Sequence, residues 1–446
     1  MTSPAADSRY AWTRLAVALV LMTIGSSPMY VMSVVLPAVQ AEFGVPRADA
    51  SLPYTLMMVG FGAGGILFGR MADRVGLMAA VLAGSAGLAA GYAAAGLAGG
   101  LAAFALVHGV LLGALGSAAT FAPLVADTSL WFVRRRGIAV AICASGNYLS
   151  GTLWPPVAQH FIASAGWRPT YIGLGVVCAL AMPPLALMLR ARPPLAPAQP
   201  IDSNAATAPA RAASTPAAAV GPADAPAVTQ SIAGVNRPFG LAPGMAQTLL
   251  VVAGIACCVA MSMPQVHIVA YCGDLGYGAA RGAEMLSLML AFGIVSRLVS
   301  GAICDRIGGL RTLLLGSVLQ GVALLLFLPF DSLASLYVVS ALFGLFQGGI
   351  VPSYAIIVRE HFPAAQAGTR VGVVLTATLL GMALGGWMSG KVFDLTGSYH
   401  AAFVNGIAWN LLNLTITGFL LWRLRGGPRK RDARSGHGAG TAAQSA

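Results

Sequence analysis

Twelve long apolar runs, separated by short polar breaks, order the chain. By hydropathy they cover residues 15–39, 52–71, 77–97, 101–126, 138–162 and 171–189. After a gap they resume at 245–271, 283–303, 313–330, 334–358, 371–392 and 402–422. Each is close to the ~20 residues that an α-helix needs to cross a bilayer. The pattern predicts an all-α polytopic membrane protein with twelve transmembrane helices. The first run is too long and too poorly terminated for a cleaved signal peptide, and reads as the first span.

Between the sixth and seventh runs the chain turns to Pro, Ala, Ser and Thr, as in "RPPLAPAQPIDSNAATAPARAASTPAAAV". Such a segment cannot bury enough apolar surface to fold and reads as a disordered linker. The expected organisation is a six-helix half at 1–190, a cytoplasmic linker at 191–244, a second six-helix half at 245–425 and a solvated tail at 426–446. The basic cluster of the tail is suited to attraction by anionic lipid.

Composition fits this picture: 57% of residues are hydrophobic and 9% charged, against about 25% charged in soluble domains. The net charge of +12 is not a nucleic-acid signal, because the basic residues are scattered among the spans. With the even-numbered gaps and both ends on one side, 21 of the 26 Lys and Arg fall there. That bias predicts both termini in the cytoplasm. Arginine outnumbers lysine 24 to 2 amid abundant Ala and Gly, which points to the inner membrane of a bacterium. All six cysteines lie in or beside apolar runs without metal-ligand spacing and read as packing. No metal, no cofactor and no catalytic constellation is expected.

The halves echo one another. "GRMADRVG" (Gly69–Gly76) ends the second span and "GAICDRIG" (Gly301–Gly308) the eighth, 232 residues on. "GWRPTY" after the fifth span and "GSYHAA" after the eleventh are offset by 231, judged by Gly166 and Gly397. Two echoes at nearly one offset indicate duplication. Within the octapeptides the small residues Gly69, Ala72 and Gly301 permit close helix approach. Asp73 and Asp305 can meet a helix N-terminus or an arginine across the interface of the halves, on one face only, and so bias the access state. Arg74 and Arg306 read either as parts of that switch or as positive-inside anchors; Gly76 and Gly308 close the motif.

Two parallel six-span halves joined by a linker, each with this octapeptide, resemble the major facilitator superfamily over nearly the whole chain. "WFVRRRGIAVAICASG", "GWRPTY", "SRLVSGAICDRIG" and "FDLTGSYHAAF" make it most similar to the branch of monocarboxylate transporters and oxalate–formate exchangers. The resemblance implies a secondary carrier that exposes a midplane site alternately to the two sides.

Arg297 stands inside span eight, eight residues before Asp305. That is ~12 Å along a helix axis, close to half the ~30 Å hydrocarbon thickness. An arginine there costs a few kcal/mol and normally faces a cavity or a partner. By the span map no acid lies near mid-membrane, and Glu284 on the same span is ~20 Å away. A ligand carboxylate is then the expected counter-ion, held by two parallel hydrogen bonds. The repeat places Gly65 opposite Arg297, so the site is asymmetric. The resembled branch also uses an arginine in span eight to hold its carboxylate. The chain departs from that branch elsewhere. Span one has no lysine, and Gly293 stands one turn before the arginine where animal members carry an acid. Lys391 lies near the outer end of span eleven rather than well inside it. A carboxylate–arginine proton switch therefore lacks its acid.

Other polar residues at depth complete the candidate site. Asn147 and Tyr148 lie ~15 Å into span five and Gln347 near the middle of span ten; they read as cavity lining or as interhelical hydrogen bonds. "GSSPMY" (Gly25–Tyr30) has the small residues and proline of a broken helix, which brings Tyr30 toward the substrate path. His267 is a proton carrier, an outer-gate hydrogen bonder or a packed neutral ring. Tyr54 and Tyr354 are weaker additions, and His108 reads as structural. Gly-rich runs such as "GFGAGGILFG" and "GMALGGWMSG" are close-packing faces rather than phosphate loops. The expected function is transport of a small mono- or dicarboxylate by a monomeric carrier in the bilayer, with protons a candidate coupling ion. A drug or sugar exporter and a transport-inactive receptor or scaffold are the alternatives.

Overall fold

The computed structural model describes residues 7–191 and 237–426. Twelve helical segments, here α1 to α12, match the twelve apolar runs. In the first half they are α1 (Arg9–Phe43), α2 (Arg47–Val75), α3 (Leu77–Gly96), α4 (Leu101–Trp131), α5 (Arg136–Ala165) and α6 (Trp167–Leu187). In the second they are α7 (Pro243–Asp274), α8 (Ala279–Ile307), α9 (Gly309–Leu326), α10 (Leu333–His361), α11 (Ala364–Thr396) and α12 (Tyr399–Gly426). Among the described residues there is no strand. Eleven of the segments are long and apolar enough to cross a membrane. The exception is α5, whose 30 residues reach ~45 Å but are diluted by Asn147, Gln159, His160 and several hydroxyls. Most of the expected linker, and nearly all of the tail, lies outside the described residues. Its last part is not solvated as expected: Phe239 is buried and stacks on His361 of α10 at 4.4 Å.

The glycine runs do pack helices closely. A Cβ on Gly60 or Gly64 of α2 would collide with the carbonyls of Gly109 and Ala114 on α4, and one on Gly381 or Gly385 of α11 would collide with α7. Lipid offers no hydrophobic drive between helices, so backbone-to-backbone approach of this kind supplies the association. Gly76 (φ +103°) and Gly308 (φ +84°) end the two octapeptides in the left-handed region, where a Cβ would be strained.

Three spans are broken. α1 changes course at Ser26, between Arg9–Gly25 and Ser27–Phe43, where "GSSPMY" predicted it. α4 passes through a π-helical stretch, His108–Gly116, and a 3₁₀ turn, Ser117–Thr120, before resuming at Ala122. α10 breaks between Gln347 and Ile350. The last two breaks, at Gly116 and Gly348, are 232 residues apart and so repeat with the halves.

The halves meet through α5 against α8 and α2 against α11. They are locked on the face away from the linker. There Arg47, at the start of α2, pairs with Asp274 at the end of α7 (2.5 Å) and donates to the hydroxyl of Tyr399 on α12 (2.7 Å). Asp394, at the end of α11, accepts from the backbone N–H groups of Arg47 and Ala48, both at 2.8 Å. The linker face is different. Asp73, Arg74, Asp305 and Arg306 are exposed there, and none forms an ion pair with a described residue. A Cβ on Gly69 or Gly301 would meet nothing within 4 Å. The expected contacts of Asp73 and Asp305 across the interface are thus not made in this state, because the halves stand apart where the octapeptides lie.

Candidate functional site

A cavity of about 340 Å³ lies between the halves, walled by α1, α2, α4 and α5 on one side and α7, α8, α10 and α11 on the other. That is the small end of the range for sites that bind organic molecules. Its wall is mostly apolar, with Met29, Met58, Phe61, Phe121, Met261 and Met382 prominent. The polar exceptions are Tyr30, Asn147, Tyr148, Gln265, Arg297, Thr376 and Thr378.

Arg297 is the one charged residue on that wall. It reaches from α8 across the interface: Nη1 donates to the carbonyl of Ala144 on α5 at 2.9 Å. Its Cζ lies 4.4 Å from the ring centre of Tyr148, a cation–π contact. Nε is buried without a partner, and no carboxylate among the described residues pairs with the group. Of the five N–H donors that a guanidinium carries, one is used, which leaves a cation with free donors at a cavity wall.

Tyr148 has a second task. Gly293 is buried one turn before Arg297 on α8, and a Cβ there would lie 2.9 Å from two carbons of the Tyr148 ring. The aromatic ring therefore fills the place beside Arg297 where a side chain at 293 would stand. Beyond it, the Tyr30 hydroxyl donates to Asn147 Oδ1 at 2.7 Å. This orients the amide and leaves its NH₂ directed away from Tyr30, its nearest acceptor being the sulfur of Met29 at 4.0 Å.

Four of the six residues expected at the site, Arg297, Asn147, Tyr148 and Tyr30, come together on this wall. Two do not. Gln347 is fully buried behind it, where its Oε1 accepts from Gln265 Nε2 at 2.9 Å and its own Nε2 finds no partner. His267 is not a cavity residue. It is fully buried near the locked face, with Nε2 2.8 Å from the carbonyl of Gly386 and Nδ1 3.3 Å from the Tyr399 hydroxyl. Gln265 is the residue that the sequence reading passed over. It is two positions from His267, so the two side chains leave α7 ~200° apart at 100° per residue, and only one can face the cavity. Tyr54 and Tyr354 are buried, Tyr354 against Asn413 at 2.6 Å, and His108 bonds the Phe104 carbonyl and Tyr171 inside the first half. All six cysteines are buried thiols, and Cys258 touches the cavity. Among the described residues no cluster of His, Cys, Asp or Glu could hold a metal ion.

A sequence profile of the Major Facilitator Superfamily matches residues 15–333 and 248–444. Monocarboxylate transporter 13 of Rattus norvegicus is 27% identical over 302 residues, which cover 66% of this chain but 62% of that protein. The uncharacterized MFS-type transporter YcxA of Bacillus subtilis (strain 168) is 23% identical over 80% of this chain and 84% of its own. Among solved structures, the peptide transporter POT in complex with sulfate superposes with a TM-score of 0.67 at 15% identity over 93% of this chain and 94% of that one. A bacterial homolog of the human lysosomal transporter Spinster, inward-facing and unoccupied, gives 0.65 at 14% identity, covering 94% and 98%. The all-helical fold, the repeated octapeptides and these matches agree, and the chain belongs to the major facilitator superfamily of membrane transporters.

Proposed function

We propose that the protein is a secondary carrier that moves a small organic anion across the inner membrane of a bacterium, with both termini cytoplasmic. The observation that carries this reading is Arg297: a guanidinium near mid-span, on a cavity wall, without a carboxylate partner among the described residues. A carboxylate entering the cavity supplies the missing charge and accepts two of the free N–H groups. The NH₂ of Asn147 is placed to add a further donor. With a single cation and a wall of methionine and phenylalanine, the site suits one carboxylate on an apolar body better than a dicarboxylate. The name shared by the rat relative, monocarboxylate transporter, supports the same class.

Transport follows from the two faces. On the arginine bias the linker face is cytoplasmic, so the state described here is closed outside by Arg47, Asp274, Asp394 and Tyr399 and open inside. Rocking the halves breaks that lock and brings the octapeptides together, where Asp73 and Asp305 then find partners. The test is equilibrium binding of radiolabelled phenylacetate and of succinate to the purified protein, followed by uptake into proteoliposomes. Saturable phenylacetate binding, at least tenfold tighter than succinate, is the expected result. Absence of saturable binding across a panel of monocarboxylates would overturn the reading.

A further inference from the structure

The lock on the far face contains a titratable group whose hydrogen bonds determine its protonation. His267 Nε2 lies 2.8 Å from the carbonyl of Gly386, and a carbonyl only accepts, so Nε2 carries a hydrogen. Tyr399 accepts from Arg47 Nη1 at 2.7 Å and stands 3.3 Å from His267 Nδ1. With the ring neutral, Nδ1 is a lone pair and Tyr399 gives it its hydroxyl hydrogen. A continuous relay results: Arg47 donates to Tyr399, Tyr399 to His267 and His267 to the backbone of α11. The same Arg47 holds Asp274, and its backbone holds Asp394.

We propose that His267 makes this lock acid-responsive: protonating it releases the contact between the halves on the far face and shifts the carrier toward the state open there.

A proton on Nδ1 turns an acceptor into a donor, so Nδ1 and the Tyr399 hydroxyl face each other hydrogen to hydrogen. Tyr399 must then rotate its hydrogen elsewhere, and its oxygen is left facing two cationic donors, Arg47 and the imidazolium, side by side. The groups that face the ring do not offset the new charge cheaply. Arg47 is a cation one hydroxyl away. Asp274 is committed to the Arg47 guanidinium, and Asp394 to two backbone N–H groups. Tyr271 one turn on along α7, Tyr399 on α12 and Tyr54 packed at Gly386 are neutral phenols. His267 itself is fully buried, and a buried charge without a free counter-ion is costly. Opening the far face admits water to the ring and removes that penalty. Linkage then fixes the sign: the charged form favours the open state, so acid on the far side opens the lock progressively as pH falls below ~6.5, the ordinary imidazole value.

The inference rests on alternating access and not on the identity of the anion. Its test therefore uses no substrate. Spin labels on Ser164→Cys and Asp331→Cys, both exposed at the far ends of opposite halves, report the opening of that face in the full-length chain in lipid nanodiscs. Distances are measured by double electron–electron resonance at pH 8 and pH 5. The measurement is repeated with Asp274→Asn added, which weakens the lock and brings the two states nearer to balance. The population open on the far face should rise at least tenfold on acidification in one background or both. His267→Gln, whose amide can donate to Gly386 and accept from Tyr399, should hold the population constant across the same range. A pH-independent distance distribution in both backgrounds overturns the proposal. So does a pH response that survives His267→Gln in protein with an unchanged melting temperature. Failure here leaves anion binding at Arg297 untouched, and failure of anion binding leaves this result standing.

Discussion

Gly293→Asp separates the charge of Arg297 from its shape. The substitution places a carboxylate one turn before the guanidinium on α8, where residues four apart have Cβ atoms ~6 Å from each other. At a charge separation of ~5 Å and an effective dielectric near 20, the attraction is roughly 3 kcal/mol. A bound anion must displace that internal partner, so affinity for phenylacetate should fall by about 30- to 150-fold, each decade being 1.4 kcal/mol. The new Cβ also meets the Tyr148 ring at 2.9 Å, which carries an overpacking cost of ~1–3 kcal/mol of its own. Gly293→Asn has nearly the same shape and bears the same steric cost without the charge. The informative quantity is therefore the ratio of the two dissociation constants, read by equilibrium dialysis at pH 8, with melting temperatures recorded on the same samples. Equal affinities of the Asp and Asn variants would refute the claim that a free positive charge at Arg297 is what binds.

Three further outcomes are expected. Asp73→Asn and Asp305→Asn should each slow uptake at least several-fold while leaving equilibrium binding within a few-fold, since both residues stand clear of the cavity; loss of binding in folded protein would contradict their role in the access equilibrium. Arg47→Ala removes a half-to-half ion pair and the hydroxyl contact to Tyr399. With Asp274 partly exposed, solvent screening limits the loss to ~1–3 kcal/mol; labelling of an introduced cysteine at Ser51 by a membrane-impermeant maleimide should still speed up about ten-fold or more. Reporter fusions at Ala212 and after the last residue should both behave as cytoplasmic, and a periplasmic signal at either would overturn the orientation read from the arginine bias.

The spans and their breaks differ in how far hydropathy reveals them. Burial in lipid forces long apolar runs, so all twelve helices were legible, and the proline and small residues of "GSSPMY" marked the break in α1. The break in α4 left a fainter trace. Gly109, Gly113 and Gly116 come with no proline to mark a break, and the π-helical stretch lies where that span packs closely against α2 and α3. Arg297 was legible because a lone charge in an apolar run has few physical explanations. The choice between His267 and Gln265 was not, because it depends on which face of α7 turns inward. The lock was hidden for another reason. Arg47 and Asp274 are both ordinary loop-end charges, 227 positions apart, and only the docking of the halves makes them partners. The filling of the Gly293 site by Tyr148 is likewise a contact between spans of different halves.

The central claim is that Arg297 is a carboxylate clamp, and its most direct test is phenylacetate binding to purified Arg297→Ala and Arg297→Lys beside the wild type, with the melting temperature of each. Losing a desolvated charge-assisted pair costs ~2–5 kcal/mol, a thirty-fold to several-thousand-fold loss of affinity. Lysine keeps the charge but not the planar fork, and should recover only part of it. The account predicts folded variants with this ranking: wild type tightest, Lys intermediate, Ala weakest. Wild-type affinity in well-folded Arg297→Ala, with any deficit appearing in thermal stability alone, would contradict it and leave Arg297 as a tie between α8 and α5.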